Sequence, residues 1–279
     1  FNNSKFTSLK AKDAIVDRFR NKYKNRPSIN SLNPELKIEI HVNRNFCTIS
    51  LDSSGESLYK RGYKKYNSAA PLNEVLAAGI ILMSAWDKKS DLLDPMCGTG
   101  TFLIEAAMIA RNIAPNLNRL AFAFEKWKDW DNELFETIEE SVKSKEIEFE
   151  HKLYGFDISS AMVKKAEKNI EIIDLGVDIE IVKKDFLAST KTDNDKLHVL
   201  INPPYDKRIS SDVNQLYKKI GNTLKNNYLY SDVWIITANL EAIKSIGLKA
   251  SKKIKLFNAN LESRLLNYKI YPGSKKNKD

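Results

Sequence analysis

A short proline-rich motif, Asn202-Pro203-Pro204-Tyr205, follows an apolar run at residues 199–201 that is typical of a buried strand. The two prolines fix the backbone and remove two N–H donors, which leaves carbonyl oxygens to accept hydrogen bonds. The Asn202 side-chain oxygen and the Pro203 carbonyl can therefore hold the amino group of a base, while Tyr205 stacks on its ring. Both acceptors would favour the positive charge that develops on a nitrogen receiving a methyl group. The motif predicts methyl transfer to an amino nitrogen; a structural proline turn is the alternative.

A glycine-containing loop at residues 94–101, called the glycine loop below, stands where a short predicted strand gives way to a helix. Its glycines, Gly98 and Gly100, allow backbone to approach a ligand closely, and the helix that follows offers free N–H groups. The loop is neither a P-loop nor a dinucleotide-binding G-x-G-x-x-G motif. By itself it indicates a ligand site no more strongly than a structural turn.

Two acidic residues strengthen this prediction, since each follows a further predicted strand. Asp157 is placed to accept hydrogen bonds from both hydroxyls of a ribose, and Asp185 from an adenine amino group. Phe186 can pack on the ring. Either acid alone is more simply a helix cap or a surface charge. Three such sites on successive strands favour a nucleoside-containing ligand.

The elements that must position these residues alternate between strand and helix. Strands are predicted at residues 91–94, 152–157, 179–183, 198–201 and 232–238, with an antiparallel pair at 252–258 and 265–271. Helices are predicted at 71–86, 101–113 and 159–175, with a short one after the fifth strand. This alternation predicts an α/β fold whose parallel sheet binds ligands at the carboxyl ends of its strands.

The N-terminal part has a different pattern. A helix is predicted at residues 10–23 and a strand pair at 36–41 and 46–51, which form only a fragment of an α+β module. We therefore expect two regions, residues 1–65 and residues 66–279. Residues 115–150 interrupt the alternation and are interpreted as an insertion.

The charge is distributed unevenly. The net charge is +9, with +8 in residues 1–65, −6 in residues 66–247 and +7 in residues 248–279. Basic ends around an acidic centre suggest surfaces that meet nucleic-acid phosphates. The basic run at residues 60–65 is the candidate RNA contact, through Lys60, Arg61, Lys64 and Lys65.

Composition excludes several classes. No stretch approaches the ~18–20 apolar residues of a membrane span. Two cysteines and three histidines, all scattered, argue against a disulfide framework or a metal site and fit a cytoplasmic protein. Methylation of a cytosine ring carbon needs a thiolate beside the 202–205 motif, and neither Cys47 nor Cys97 lies there.

The glycine loop, Asp157, Asp185 and the 202–205 motif together resemble those of the Rossmann-like class I amino-methyltransferases. Within them, the chain is similar to the THUMP-containing guanine-N2 methyltransferases of large-subunit ribosomal RNA, often labelled adenine-specific DNA methylases. The stretches at residues 12–19, 54–63, 70–72 and 92–110 carry this likeness. The resemblance implies that residues 1–65 are the carboxyl-terminal part of a THUMP-like RNA-binding module.

The resemblance also implies S-adenosylmethionine as cofactor, S-adenosylhomocysteine as product and ribosomal RNA as partner, without a metal. No membrane association or obligate protein partner is evident. The catalytic candidates are Asn202, Pro203 and Tyr205. The residues expected to bind the cofactor are Asp94, Pro95, Cys97, Gly98, Thr99, Gly100, Asp157, Ile158, Asp185, Phe186 and Asn202.

Two other functions stay open. A DNA adenine methyltransferase would use the same grip on an amino group, although the basic THUMP-like segment favours RNA and no separate target-recognition domain is visible. A non-catalytic RNA-binding factor for ribosome assembly would have no need for both Asn202 and Asp157.

Overall fold

The computed structural model describes residues 3–68, 71–193, 195–204 and 210–273. The chain divides into two compact units. Unit 1 runs to Leu58 and includes Leu120–Glu136, and unit 2 contains the remainder of the chain.

Unit 1 contains one helix and one strand pair in its N-terminal part, as predicted. The helix α1 spans Ser4–Tyr23, and the antiparallel strands β1 and β2 span Ile38–Asn43 and Phe46–Leu51. Helix α1 begins six residues before the predicted start because the Asn3 side chain caps it, accepting the Phe6 N–H at 3.1 Å.

The second part of unit 1 is distant in sequence. Residues 120–136 join the N-terminal part through backbone hydrogen bonds: Ala123 N–H donates to Ser54 O at 3.3 Å, and Phe124 N–H to Ser53 O at 3.1 Å. This stretch holds a 3-10 helix, Ala123–Lys126, and the start of helix α4, Asn132–Lys143. Much of the predicted insertion therefore packs with the N-terminal region.

Unit 2 is built on a mostly parallel sheet of seven strands, in the order β5-β4-β3-β6-β7-β9-β8. Strand β9 runs antiparallel to both β7 and β8, which confirms the predicted antiparallel pair. The strands are β3 Leu92–Asp94, β4 Leu153–Asp157, β5 Ile179–Lys183, β6 Leu197–Ile201, β7 Ser231–Thr237, β8 Lys252–Asn258 and β9 Leu261–Lys269. The helices are α2 Glu74–Met83, α3 Thr101–Ala110, α5 Ser160–Glu171 and α6 Ser210–Asn227.

The strand order places a crevice where the direction of chain progression reverses. After β3 the chain moves outward through β4 and β5, and it then returns to place β6 on the other side of β3. Helices diverge at such a point, so ligands bind at the carboxyl ends of the flanking strands. All five residues of β6 are buried, which explains the uninterrupted apolar character of this central strand.

Several element boundaries differ from the predictions. Helices α3 and α5 end at Ala110 and Glu171, three and four residues before the predicted ends. The short helix after the fifth strand is a 3-10 helix, Ala242–Ile246. Helix α6 was not predicted, although Val213, Leu216, Ile220 and Leu224 recur at helical spacing. Over the described part of the chain, no helix combines the length and apolarity needed to cross a membrane.

Candidate active site

Unit 2 contains a cavity of about 840 Å³ at the carboxyl ends of β3, β4, β5 and β6. Every residue predicted to contact the cofactor lines it except Gly100, and Pro203 lines it as well. The structure thus brings together residues that lie more than a hundred positions apart in sequence.

The glycine loop closes tightly between β3 and α3. Gly100 N–H donates to Cys97 O at 2.8 Å, and Cys97 N–H donates to Phe156 O on β4 at 2.9 Å. Gly100 caps α3 with a φ of 82°, a left-handed conformation that favours glycine. Its contribution is therefore the shape of the turn rather than a place in the cavity wall.

Asp157 connects the glycine loop with the turn between β4 and α5. Its Oδ2 accepts the Gly98 N–H at 3.0 Å, and its Oδ1 accepts the Ser159 N–H at 2.8 Å. Ser159 in turn caps α5 through the Met162 N–H. Each carboxylate oxygen has two acceptor sites, so Asp157 can hold this scaffold and still accept a bond from a ligand hydroxyl.

Asp94, the acid at the start of the glycine loop, is buried, whereas Asp157 is only partly buried. Asp94 is 2% exposed, and burial together with the nearby Asp157 charge raises its pKa to about 8. The hydrogen bond that Asp94 accepts from the Met96 N–H at 3.2 Å opposes this rise in pKa. Burial also raises the pKa of the Cys97 thiol, so this cysteine is a neutral wall residue rather than a nucleophile.

The third acidic position follows β5. Asp185 is exposed at the cavity, and its Oδ1 accepts the Leu187 N–H at 2.9 Å. Phe186 beside it is 2% exposed and lies on the cavity wall. This pair offers a carboxylate and an aromatic ring to the same ligand.

The motif after β6 supplies an unusual polar atom. Asn202 Oδ1 is buried, and among the described residues it has no hydrogen-bond partner. A buried amide oxygen without a partner costs about 1–3 kcal/mol, so an atom of this kind indicates a donor from a ligand. Pro203 is buried beside it, whereas Tyr205 lies outside the described residues.

Sequence reasoning missed several wall residues. Ser68 and Leu72 reach the cavity from the segment before α2, Leu216 from α6, and Lys184 from the end of β5. The likeness at residues 70–72 and the position of Lys184 before Asp185 were available signals. Gly155 matters in another way: a Cβ there would lie 2.6 Å from Leu103 Cδ1 and 3.2 Å from Cys97 Sγ.

The structure corrects the predicted phosphate-binding run. Arg61 is buried, and its Nε lies 3.4 Å from Glu105 Oε1. The side chain of Lys64 is 7% exposed and lies 3.8 Å from Glu74. Both cations pair with buried carboxylates inside the protein, so their side chains are unavailable to phosphates. Lys60 and Lys65 are exposed.

The fold and the cavity together define the class. The mostly parallel seven-stranded sheet, with a cavity at the carboxyl ends of its strands, is that of the class I methyltransferase fold. Among the described residues, no three His, Cys, Asp or Glu side chains group closely enough to hold a metal ion.

The chain belongs to the UPF0020 family, whose RMKL-like methyltransferase domain matches residues 61–267, and residues 1–52 match the THUMP domain. Shewanella baltica has a relative named ribosomal RNA large subunit methyltransferase K/L. It is 38% identical over 98% of this chain and 39% of the relative, so the chain spans about two fifths of its length. A provisionally named RNA methyltransferase of Synechocystis is 35% identical over 97% of the chain and 71% of the relative.

Solved structures show the same fold. A provisionally assigned methyltransferase in complex with SAH is 33% identical, with a TM-score of 0.82 over 94% of this chain and 69% of that chain. A protein from Listeria monocytogenes titled as a predicted N6-adenine-specific DNA methylase is 29% identical, with a TM-score of 0.82 over 93% of this chain and 67% of that chain.

Proposed function

We propose that this chain transfers a methyl group from S-adenosylmethionine to an exocyclic base amino group, namely guanine N2 of large-subunit ribosomal RNA. The proposal rests on Asn202 Oδ1, which is buried, has no hydrogen-bond partner among the described residues and lies on the wall of the cavity that Asp157 and Asp185 also line. An acceptor of this kind suits a donor such as a base amino group.

The cavity residues fit the cofactor. Asp157 would accept the ribose hydroxyls, Asp185 the adenine amino group, and Phe186 would contact the adenine ring. A Cβ built on Gly98 meets nothing within 4 Å, so the glycine loop presents open space rather than packed side chains. A relative 33% identical was solved with SAH, which supports the same class of ligand here.

The protein's own contribution to methyl transfer is orientation and charge stabilisation. When bound, S-adenosylmethionine supplies an electrophilic methyl group and leaves as S-adenosylhomocysteine. Asn202 Oδ1 and the Pro203 carbonyl would hold the amino hydrogens, so that the nitrogen faces the methyl group. As the S–C bond of the cofactor breaks and the C–N bond forms, positive charge would develop on the nitrogen; these acceptors would stabilise it until the nitrogen releases a proton to water. Tyr205 would stack on the base.

The THUMP match and the names of the relatives favour RNA as substrate. With ribosomal RNA as the proposed substrate, we expect the reaction to take place in the cytoplasm. The exposed Lys60 and Lys65 are retained as candidate phosphate contacts. DNA adenine methylation is the second candidate, because the same acceptors suit either amino group and one structural relative carries that title.

The test is methyl transfer from labelled S-adenosylmethionine to deproteinised ribosomal RNA, with the product nucleoside identified by mass spectrometry. Asn202→Ala should lower the single-turnover rate of methyl transfer by about 100-fold or more, the loss typical when a preorganised hydrogen-bonding group at a developing charge is removed. Cofactor affinity should change less than the rate, because the proposed role of Asn202 Oδ1 is to hold the base amino group, and Asp157, Asp185 and Phe186 are left in place for the ribose and adenine.

The products separate the candidate functions. N2-methylguanosine that disappears with Asn202→Ala supports the proposal, whereas N6-methyladenine formed on DNA supports the second candidate. A wild-type chain that binds RNA tightly but methylates neither substrate would point to a ribosome-assembly factor instead.

A further inference from the structure

A segment without helix or strand reaches the cavity at its last residue. Residues 61–68, called the wall segment below, end at Ser68, which lines the cavity. The start of this segment is fixed by α3, where Glu105 Oε1 accepts the Tyr63 hydroxyl at 2.9 Å and faces the Arg61 guanidinium. The end of the segment requires a separate anchor, because a segment without regular structure does not satisfy its own backbone groups.

That anchor is Asn169 on α5, a side chain with 0% exposure. Its Oδ1 accepts the Tyr66 N–H at 3.1 Å, and its Nδ2 donates to Tyr66 O at 3.0 Å. The same Nδ2 donates to Thr99 O in the glycine loop at 3.2 Å. One amide therefore uses its acceptor and both donors to join the wall segment to the glycine loop.

We propose that Asn169 is a positioning residue for the cofactor: it fixes the distance between the wall segment and the glycine loop and thereby sets cofactor affinity. This inference rests on the proposed function of the same cavity. Asn169 donates to the carbonyl of Thr99, which lines the cavity, and to the carbonyl of Tyr66, two residues before Ser68, which also lines it. Asn169 itself does not line it, so it acts only through these neighbours.

A second buried asparagine provides a matched control. Asn267 on β9 is 1% exposed and also donates from Nδ2 to two oxygens, Asp232 Oδ1 and Val233 O. All three residues lie on the β7–β9 ladder, and none lines the cavity. Loss of either amide removes comparable hydrogen bonds from the core, but only loss of Asn169 frees parts of the cavity wall.

The experiment compares Asn169→Ala and Asn267→Ala with the wild-type chain by calorimetric titration of S-adenosylhomocysteine and by thermal unfolding with and without it. Both variants should unfold at lower temperature. Asn169→Ala should also weaken cofactor affinity by about fivefold or more, the equivalent of one net hydrogen bond. Asn267→Ala should stay within about twofold of wild type.

If Asn169→Ala does not fold, Asn169→Ser provides the second measurement. Serine stays uncharged, and its single hydroxyl cannot make the amide's bonds to Tyr66 N–H, Tyr66 O and Thr99 O together, so the link between the two segments is lost without a buried charge. In methyl transfer, the KM for cofactor should rise while kcat at saturating cofactor stays near wild type.

Equal cofactor affinities in the wild type and the folded Asn169 variants would overturn the inference, as would equal weakening in the Asn169 and Asn267 variants. Failure of the proposed cofactor site is visible separately, because the wild-type chain would then bind no S-adenosylhomocysteine at all, and failure of the proposed substrate is visible in the methylated product.

Discussion

Asp157 allows the clearest quantitative test of the cofactor site, because its structural and ligand-binding bonds can be counted. One bond goes from Gly98 N–H to Oδ2 at 3.0 Å and another from Ser159 N–H to Oδ1 at 2.8 Å. Each oxygen keeps one acceptor site, which matches the two hydroxyls of a ribose. Asp157→Ala removes both ribose acceptors and also the tie to the glycine loop.

Hydrogen bonds to a charged group are worth about 1.5–3 kcal/mol each when buried. Asp157 is only partly buried, so water can replace the carboxylate at the hydroxyls and the loss should be smaller than the sum of two bonds. We expect cofactor affinity to weaken by about 1–3 kcal/mol, which is roughly 5- to 150-fold in Kd.

Calorimetric titration with S-adenosylhomocysteine measures this loss directly. Asp178→Ala is the control, since the Asp178 side chain is 7% exposed, accepts a bond from Arg111 at 3.1 Å and lies just before β5, at the opposite end of that strand from the cavity. The control should lose stability but not affinity. Unchanged affinity in Asp157→Ala would refute the assignment, and equal weakening in both variants would show a general loosening of the fold.

The remaining predictions concern three buried positions and the two exposed lysines of the basic run. Because the pKa of Asp94 is about 8 in the folded chain and 3.8 ordinarily, the wild type should lose stability as the pH rises from about 4 to 8. Asp94→Asn should lack this loss, with a relative gain above about 1 kcal/mol by pH 8 in urea unfolding. Gly155→Ala should destabilise by about 1–3 kcal/mol in the same assay, because its Cβ would overlap Leu103. Arg61→Ala should destabilise the fold by about 3–5 kcal/mol, because it leaves the buried Glu105 without its cation. It should not change the salt dependence of RNA binding, whereas the double variant Lys60→Glu, Lys65→Glu should flatten that dependence. An unchanged slope in the double variant would exclude those two lysines as phosphate contacts.

The central part of the site could be predicted because its signals are local. An apolar strand followed by an acid, as at Asp157 and Asp185, places that acid at the carboxyl edge of a parallel sheet whatever the order of the strands. The order itself, with β6 beside β3, has no local signal. The sequence therefore predicts that these residues share an edge, and the structure shows which of them are neighbours.

Contacts between distant parts of the chain were missed for the same reason. Residues 115–150 interrupt a regular alternation and look like an insertion, yet within them the N–H groups of Ala123 and Phe124 donate to Ser54 O and Ser53 O. Asn169 looks like an ordinary polar residue of an amphipathic helix, but it is fully buried because two carbonyls and an N–H from other segments converge on it. In both cases the residues adjacent in sequence give no indication of the distant segment that supplies the hydrogen-bond partner.

The basic run at residues 60–65 shows why charge patterns alone do not locate an RNA surface. A lysine or arginine is stabilised either by water and phosphates outside or by a carboxylate inside, and the sequence of the run is the same in both cases. A buried cation differs from an exposed one in having an acid from elsewhere in the chain beside it. Glu105 and Glu74 are both buried, and each faces a cation of the run. A buried acid on an otherwise apolar helix such as α3 requires such a cation, so Glu105 was itself the signal that part of the run turns inward. The exposed Lys60 and Lys65 therefore remain the candidate phosphate contacts of the run, and charge-reversal experiments are directed to them and away from the buried side chains of Arg61 and Lys64.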